Sequence, residues 1–126
     1  MDTSEKDRCI LDDGTQQVSL NVAGHRYTAS LRTLRAEPDS HLANAFAGNW
    51  RLSRTAAGEV FLDRNGEAFG IVLQYLRARR DSRAFVLPPL DTYKLGQLKV
   101  EADFYGLEGL KQLSEAGMEK MLDSRY

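Results

Sequence analysis

The sequence is poor in cysteine, in histidine and in long apolar runs. Its single cysteine, Cys9, cannot form a disulfide within the chain, which argues against a secreted disulfide scaffold and for a reducing compartment. No stretch reaches the roughly 18 consecutive apolar residues that a membrane-spanning helix needs, and the polar start of the chain lacks the apolar core of a secretory signal. These absences predict a cytoplasmic protein, with the nucleus as the alternative, and no membrane contact by this segment.

Residue types that carry out catalysis or bind metals are also scarce. His25 lies in a predicted turn and His41 at a predicted helix start, so the chain offers no nucleophile with a neighbouring base and no four-ligand zinc site. The net charge of −1 does not attract nucleic acid, and the arginine cluster at residues 77–83 has little aromatic interleaving. We therefore expect no enzyme, no catalytic residue, no cofactor, no metal and no nucleic-acid partner, which leaves protein binding.

Strand periodicity begins at Val18. The apolar residues Val18, Leu20 and Val22 alternate with polar ones, which predicts a half-buried strand. A break at Gly24 and renewed alternation over residues 26–29 predict an antiparallel hairpin. Residues 59–62 are typical of a third strand.

Helix signals surround the third strand. Ser30 can cap a short helix that ends before Pro38, and Asp39 or Ser40 can cap the next one. The strongest helix follows Asn65, with the apolar stripe Phe69, Val72, Leu73 and Leu76 at helical spacing. A pair of helices begins at Pro88-Pro89 and is interrupted at Gly106. Three strands with about five helices predict an α+β fold.

The domain organisation follows from the same patterns. Residues 1–16 are polar and acidic, which predicts a disordered N-terminal tail. Residues 17–113 contain all the strands and form one domain, and residues 114–126 form a C-terminal helix or tail.

Three segments resemble the BTB/POZ fold in its potassium-channel-tetramerisation, or KCTD-type, subclass. They are the opening from Val18 (VSLNVAGHRYTASLRTLRAEPDSHLANAF), the segment from Val60 (VFLDRNGEAFGIVLQYLR) and the closing element from Glu101 (EADFYGLEGL). Their order and spacing match the subclass over residues 17–113. One departure is Ala23, which stands where the family usually has glycine or serine.

The resemblance implies assembly of the chain with copies of itself into a ring of four or five through head-to-tail contacts. Asp63 and Arg64 are opposite charges on a short turn where no core requires them, so they resemble interface residues; the alternative is a local ion pair. On that basis charge reversal at Arg64 would weaken the ring and leave helical content intact. The full set of expected interface residues is Asn21, Arg32, Asp63, Arg64, Asn65 and Arg77.

The resemblance has two branches with different partners. One is the KCTD-type substrate adaptor of a cullin-RING E3 ubiquitin ligase, and the alternative is the cytoplasmic tetramerisation domain of a voltage-gated potassium channel. For the first branch, a cullin scaffold would contact the loop after the second helix, with Phe46, Trp50 and Leu52 as apolar anchors. Trp50 covering the domain's own core is the other interpretation. The number of subunits and the recruited substrate are not readable from these residues.

Overall fold

A computed structural model describes residues 14–49 and 51–123. In it, strands β1 (Gln17–Val22) and β2 (His25–Ser30) form an antiparallel pair, and β3 (Val60–Leu62) lies parallel to β1 on its other side. The strand order is therefore β2-β1-β3. Cys9 and most of the predicted N-terminal tail lie outside the described residues.

The hairpin turn between β1 and β2 consists of Ala23 and Gly24. Both have positive φ angles, 47° and 98°, which is the backbone of the tight hairpin turn that matches strand twist. The side-chain carbonyl of Asn21 accepts a hydrogen bond from the amide of Gly24 at 2.7 Å and closes the turn. The predicted hairpin is thus confirmed, and its turn holds an alanine in a conformation that favours glycine.

Within the described residues, five helices accompany the sheet. Four of them begin at a side-chain cap, and the sequence predicts three of these caps. They are α1 (Leu31–Leu34), α2 (His41–Asn44), α3 (Gly66–Arg80), α4 (Thr92–Tyr105) and α5 (Glu108–Asp123). A π-helical turn, Ala45–Asn49, extends α2. The caps are Ser30, Ser40, Asn65 and Asp91, each of which accepts a hydrogen bond from the backbone amide three residues on.

One predicted helix start was wrong. The helix pair was expected to begin at Pro88-Pro89, but α4 begins at Thr92. The Asp91 side chain accepts a hydrogen bond from the amide of Lys94 at 2.8 Å, so this carboxylate caps the helix and the prolines lie in the connection before it. Gly106 ends α4 with a φ of 72°, as its position between the two helices indicated.

The core lies between the inner face of the sheet, α3, and the α4-α5 pair. The apolar stripe of α3 is buried throughout, which confirms its predicted orientation. Each fully buried side chain of this size stabilises the fold by about 1.5–3 kcal/mol. The largest fully buried apolar side chains are Phe69, Leu20, Leu34, Leu73, Leu76, Leu98, Leu107 and Leu110. The predicted α+β class with a three-stranded sheet and five helices is confirmed.

Candidate functional site

The turn that joins β3 to α3 contains three of the six predicted interface residues. Asn65 caps α3, since its side-chain oxygen accepts the amide of Ala68 at 3.0 Å. Asp63 is exposed, whereas Arg64 is only partly so. Arg64 turns back into the domain, so the three residues have different surroundings.

The Arg64 guanidinium binds Glu101 on α4. Nε and Nη2 donate to the two carboxylate oxygens at 3.0 and 2.9 Å, a bidentate geometry. The Glu101 side chain is almost fully buried, at 7% relative exposure. The guanidinium carbon also lies 3.9 Å from the ring centroid of Phe104, within cation–π range. Arg64 therefore has intrachain partners that the sequence did not reveal.

Tyr105 lies beside this ion pair. Its hydroxyl is the one buried side-chain polar atom without a hydrogen-bond partner among residues 14–49 and 51–123. Burial raises the pKa of Tyr105, the charge of Glu101 raises it further, and Arg64 opposes the shift. The ring stacks edge-on against Phe69 and Phe104 at 5.5 and 5.2 Å, which fixes its position in the core.

Asn21 lies at the same end of α3 as the turn. The amide of Ala23 donates to the carbonyl of Leu62 at 2.9 Å, which ties the hairpin to the end of β3. The first residue of α3, Gly66, packs so closely on Val22 and His25 that a side chain there would overlap both. We call Asn21, Asp63, Arg64 and Asn65 the turn patch.

The remaining two predicted interface residues, Arg32 and Arg77, lie near the other end of α3. Arg77 is twelve positions after Asn65, about 18 Å along the helix axis at 1.5 Å per residue. Arg32 on α1 lines an open polar cavity of about 360 Å³ together with Arg80, one helical turn beyond Arg77. Arg80 also donates to the hydroxyl of Thr33, next to Arg32, at 2.8 Å. We call Arg32, Arg77 and Arg80 the basic patch.

Much of the arginine cluster at the end of α3 is neutralised within the chain. Arg80 pairs with Asp81 at 2.8 Å, Arg83 approaches the same carboxylate at 3.7 Å, and Arg79 pairs with Glu37 at 3.4 Å. Arg80 and Arg83 lower the pKa of Asp81 and so keep this carboxylate ionised. The guanidinium groups of Arg79, Arg80 and Arg83 therefore already face carboxylates of the same chain.

A separate apolar groove, with a volume of about 340 Å³, opens between α2, the end of β3 and the end of α4. Phe46 is buried at its base and Leu52 is half-buried, so two of the three predicted cullin-facing residues lie in it. Trp50, the third, lies outside the described residues. The lining residues are His41, Leu42, Ala45, Phe46, Arg51, Leu52, Leu62, Phe104 and Tyr105.

The base of the groove is held by a charged donor. Arg35, just after α1, donates from Nε to the carbonyl oxygen of Phe46 at 2.8 Å, and its Nη2 approaches the same oxygen. This contact holds the π-helical turn after α2, within which Gly48 departs from helical geometry with a φ of 89°. The bond from Arg35 to its carbonyl oxygen thus positions Phe46, whose side chain packs inward. Other residues form the exposed surface of the groove.

Phe104 is the main exposed apolar side chain of the groove, and sequence reasoning missed it. Its side chain is 49% exposed, and its carbonyl oxygen lies 3.1 Å from Nδ1 of His41, another groove residue. The signal was present: Leu98, Ala102 and Tyr105 form the buried stripe of α4, so Phe104 necessarily falls off that face. A large aromatic residue that lies off the buried stripe and lines an apolar groove is a candidate anchor for a binding partner.

No helix in the described part of the chain is both long and apolar enough to cross a bilayer.

Comparison with known proteins agrees with the architecture. The family model described as "BTB/POZ domain" matches residues 18–114. The chain is 39% identical over 93 residues to the human BTB/POZ domain-containing protein KCTD21, covering 74% of this chain and 34% of that protein. It is 35% identical over 100 residues to the mouse potassium channel regulatory protein, covering 79% and 36%.

A third relative has a name that states a partner. The chain is 29% identical over 111 residues to the human BTB/POZ domain-containing adapter for CUL3-mediated RhoA degradation protein 2, covering 88% of this chain and 33% of that protein. The chain therefore spans about a third of the length of the curated relatives it matches. The family is one of protein-interaction domains. From the family match and the architecture together, the chain belongs to the BTB/POZ domain family, in its potassium-channel-tetramerisation-like, KCTD-type subclass.

Proposed function

We propose that this domain assembles into a closed ring of four or five copies by placing the turn patch of one copy against the basic patch of the next. The observation that carries the proposal is the position of the predicted interface residues at two ends of α3. Asn21, Asp63 and Asn65 lie at one end, and Arg32 and Arg77 lie at the other. Two different patches on one molecule are what a head-to-tail contact requires, and such contacts close into rings when the rotation allows it.

The charges of the two patches support this pairing. Asp63 places an exposed carboxylate in the turn patch. The basic patch contributes the positive charges of Arg32 and Arg77, while Arg80 is paired with Asp81. Complementary charge sets the register and suppresses the wrong pairing of like patches. A polar interface of this kind is sensitive to salt, because partly exposed ion pairs are screened.

Native mass spectrometry and light scattering test the ring. The unmodified chain is expected to give the mass of four or five subunits, and Asp63→Lys is expected to shift the mass toward the monomer because it places like charges together. Glu119→Lys changes an exposed carboxylate on α5, outside both patches, and should leave the mass unchanged. A strictly monomeric unmodified chain at tens of micromolar would contradict the proposal.

The apolar groove is the proposed docking site for a cullin scaffold, which would make the domain the assembly part of a ubiquitin-ligase adaptor. Support comes from its lining, with exposed Phe104 and half-buried Leu52 around a buried base, and from the relative named for CUL3-mediated degradation. An aromatic anchor beside a concave apolar surface is the usual arrangement of an interface hot spot. The substrate recruited by such an adaptor would bind elsewhere in the protein.

Calorimetric titration with the N-terminal region of the cullin tests this docking. Phe104→Ala is expected to weaken binding by at least about tenfold, the loss typical of a hot-spot residue. Val100→Ala is the matched control, because Val100 is 57% exposed on the same helix and does not line the groove. If the unmodified domain binds no cullin at high concentration, the groove has another role.

A second candidate function is assembly of a voltage-gated potassium channel, favoured by the similarity to the potassium channel regulatory protein. Channels of that class are four-fold, so subunit number discriminates between the two functions. A ring of five in native mass spectrometry would rule out the channel function, whereas a ring of four that exchanges subunits with a channel tetramerisation domain would support it.

A further inference from the structure

We infer that Arg64 is a positioning residue that couples the turn patch to the apolar groove by holding the ring of Phe104 in place. The inference rests on the proposed function, because it assigns a role to the groove and to the turn patch together. It concerns Arg64, Glu101 and Phe104, which are joined within the chain by a bidentate ion pair and a stacking contact.

The groove wall needs such a support. The Phe104 backbone is fixed, since its carbonyl oxygen lies against Nδ1 of His41, but its side chain is about half exposed. An exposed aromatic side chain exchanges between staggered rotamers unless neighbouring groups restrict it. Tyr105 restricts one side by an edge-on contact at 5.2 Å, and the Arg64 guanidinium covers a ring face at 3.9 Å.

The guanidinium itself is held rigidly. Its two hydrogen bonds go to the carboxylate of Glu101, which lies on α4 and is buried away from solvent. A planar guanidinium can make this bidentate bond and stack on a ring at the same time, which a lysine ammonium cannot do. Arg64 is therefore suited to orient Phe104, and it does so from a position between Asp63 and Asn65 of the turn patch.

This arrangement connects the two proposed binding events. A neighbouring copy that contacts the turn patch acts on Asp63 and Arg64, and a partner in the groove contacts Phe104, which rests on the same guanidinium. A neighbouring copy that binds more tightly when Arg64 is ordered therefore raises the affinity of the groove for its own partner. By thermodynamic linkage, a partner in the groove raises the affinity between copies by the same factor. Assembly into the ring is therefore expected to raise the affinity of each single groove for its partner, in addition to the avidity that comes from having several grooves in one ring.

Arg64→Lys and Glu119→Gln form the test pair. Arg64→Lys keeps the positive charge near Glu101 but loses the bidentate bond and the flat stacking surface. Glu119→Gln alters an exposed carboxylate on α5 that belongs to neither patch and is not part of the Arg64-Glu101-Phe104 contact. Replacement of Arg64 by a neutral or acidic residue is avoided here, because it would leave the buried Glu101 carboxylate unpaired and disturb folding.

The first readout is fluorine NMR of the chain labelled with 4-fluorophenylalanine. The sequence has five phenylalanines, and the signal lost in Phe104→Leu identifies Phe104. Arg64→Lys is expected to shift and broaden this signal, whereas Glu119→Gln leaves it unchanged. An unchanged Phe104 signal in Arg64→Lys would overturn the inference, whether or not a cullin binds.

The second readout is affinity for the cullin N-terminal region at equal assembled mass. Arg64→Lys is expected to weaken binding about fivefold, the order of a lost cation–π restraint, while native mass spectrometry shows the same subunit number. A loss of affinity that follows only a loss of ring mass would show that Arg64 acts through assembly and overturn the inference. If the unmodified chain binds no cullin while the fluorine signal responds to Arg64→Lys, the docking function fails and the positioning of Phe104 is supported.

Discussion

Arg64 and Glu101 form a bidentate ion pair although 37 positions separate them in the chain, with donor–acceptor distances of 3.0 and 2.9 Å. The pair joins the turn before α3 to the middle of α4. Arg64, which the sequence predicts as an interface residue, thus also has a role inside the domain. A substitution of Arg64 therefore affects the fold as well as the interface.

Charge reversal at Arg64 is expected to destabilise the fold as well as the ring, which corrects the expectation from the sequence that helical content would stay intact. Arg64→Glu would place two carboxylates together and leave the buried Glu101 without its partner, at a cost of about 3 kcal/mol in the free energy of unfolding. Urea denaturation followed by circular dichroism measures this loss. Glu119→Gln is the control, with a change below about 0.5 kcal/mol expected for an exposed side chain outside both patches. An unfolding free energy for Arg64→Glu equal to that of the unmodified chain would show that the pair contributes nothing.

The hairpin turn offers a matched pair of opposite substitutions. Ala23 has a φ of 47°, which costs an L-residue about 1 kcal/mol, so Ala23→Gly is expected to raise the free energy of unfolding by up to about that amount. Gly24→Ala, at a φ of 98°, is expected to lower it by about 1–2 kcal/mol. No atom lies within 4 Å of the added methyl group at Gly24, so backbone strain alone is measured. Thermal unfolding of both variants in parallel checks the two signs.

Substitution of two helical glycines by alanine is expected to change the free energy of unfolding in opposite directions. At Gly66 a methyl group would overlap the carbonyl oxygen of Val22, which cannot move without disturbing β1, so Gly66→Ala should cost about 2–3 kcal/mol. At Gly96 the nearest atom to a methyl group is Sδ of Met118 at 4.0 Å. Gly96→Ala should therefore stabilise α4 by up to about 1 kcal/mol. Equal effects of the two substitutions in chemical denaturation would contradict the close packing of the hairpin on α3.

Buried tyrosines are expected to limit stability at alkaline pH. The Tyr75 hydroxyl donates to Glu37 at 2.6 Å, and burial first and this hydrogen bond second raise the pKa of Tyr75 above its ordinary value of 10.0. Burial also raises the pKa of Tyr105. Because the folded state holds these protons more tightly than the unfolded state, their contribution is complete below about pH 10 and is lost as the pH rises further.

Absorbance of ionised tyrosine and circular dichroism, recorded together from pH 8 upward, check this expectation. Part of the tyrosine signal should appear only as helical content is lost, and Tyr75→Phe should make the alkaline loss of stability less steep. Complete tyrosine ionisation in a chain that retains its helices would contradict it.

The local elements of this domain were predictable because their causes are local. The alternation of Val18, Leu20 and Val22 and the cap at Asn65 each act within a few residues, so the hairpin and the start of α3 follow from the sequence. Pro88-Pro89 predicts a start of α4 that is too early, because the Asp91 side chain supplies the cap.

The sequence by itself determined the α+β class, the hairpin, the caps and the family, since periodicity, turn chemistry and motif order are properties of neighbouring residues. Tertiary structure alone decided that Arg64 meets Glu101, that Phe104 stands half exposed beside a groove, and that the expected interface residues divide between two ends of α3. Those relationships join segments tens of residues apart. They exist only once the packing of α3 and α4 around a common core brings their side chains within reach of one another.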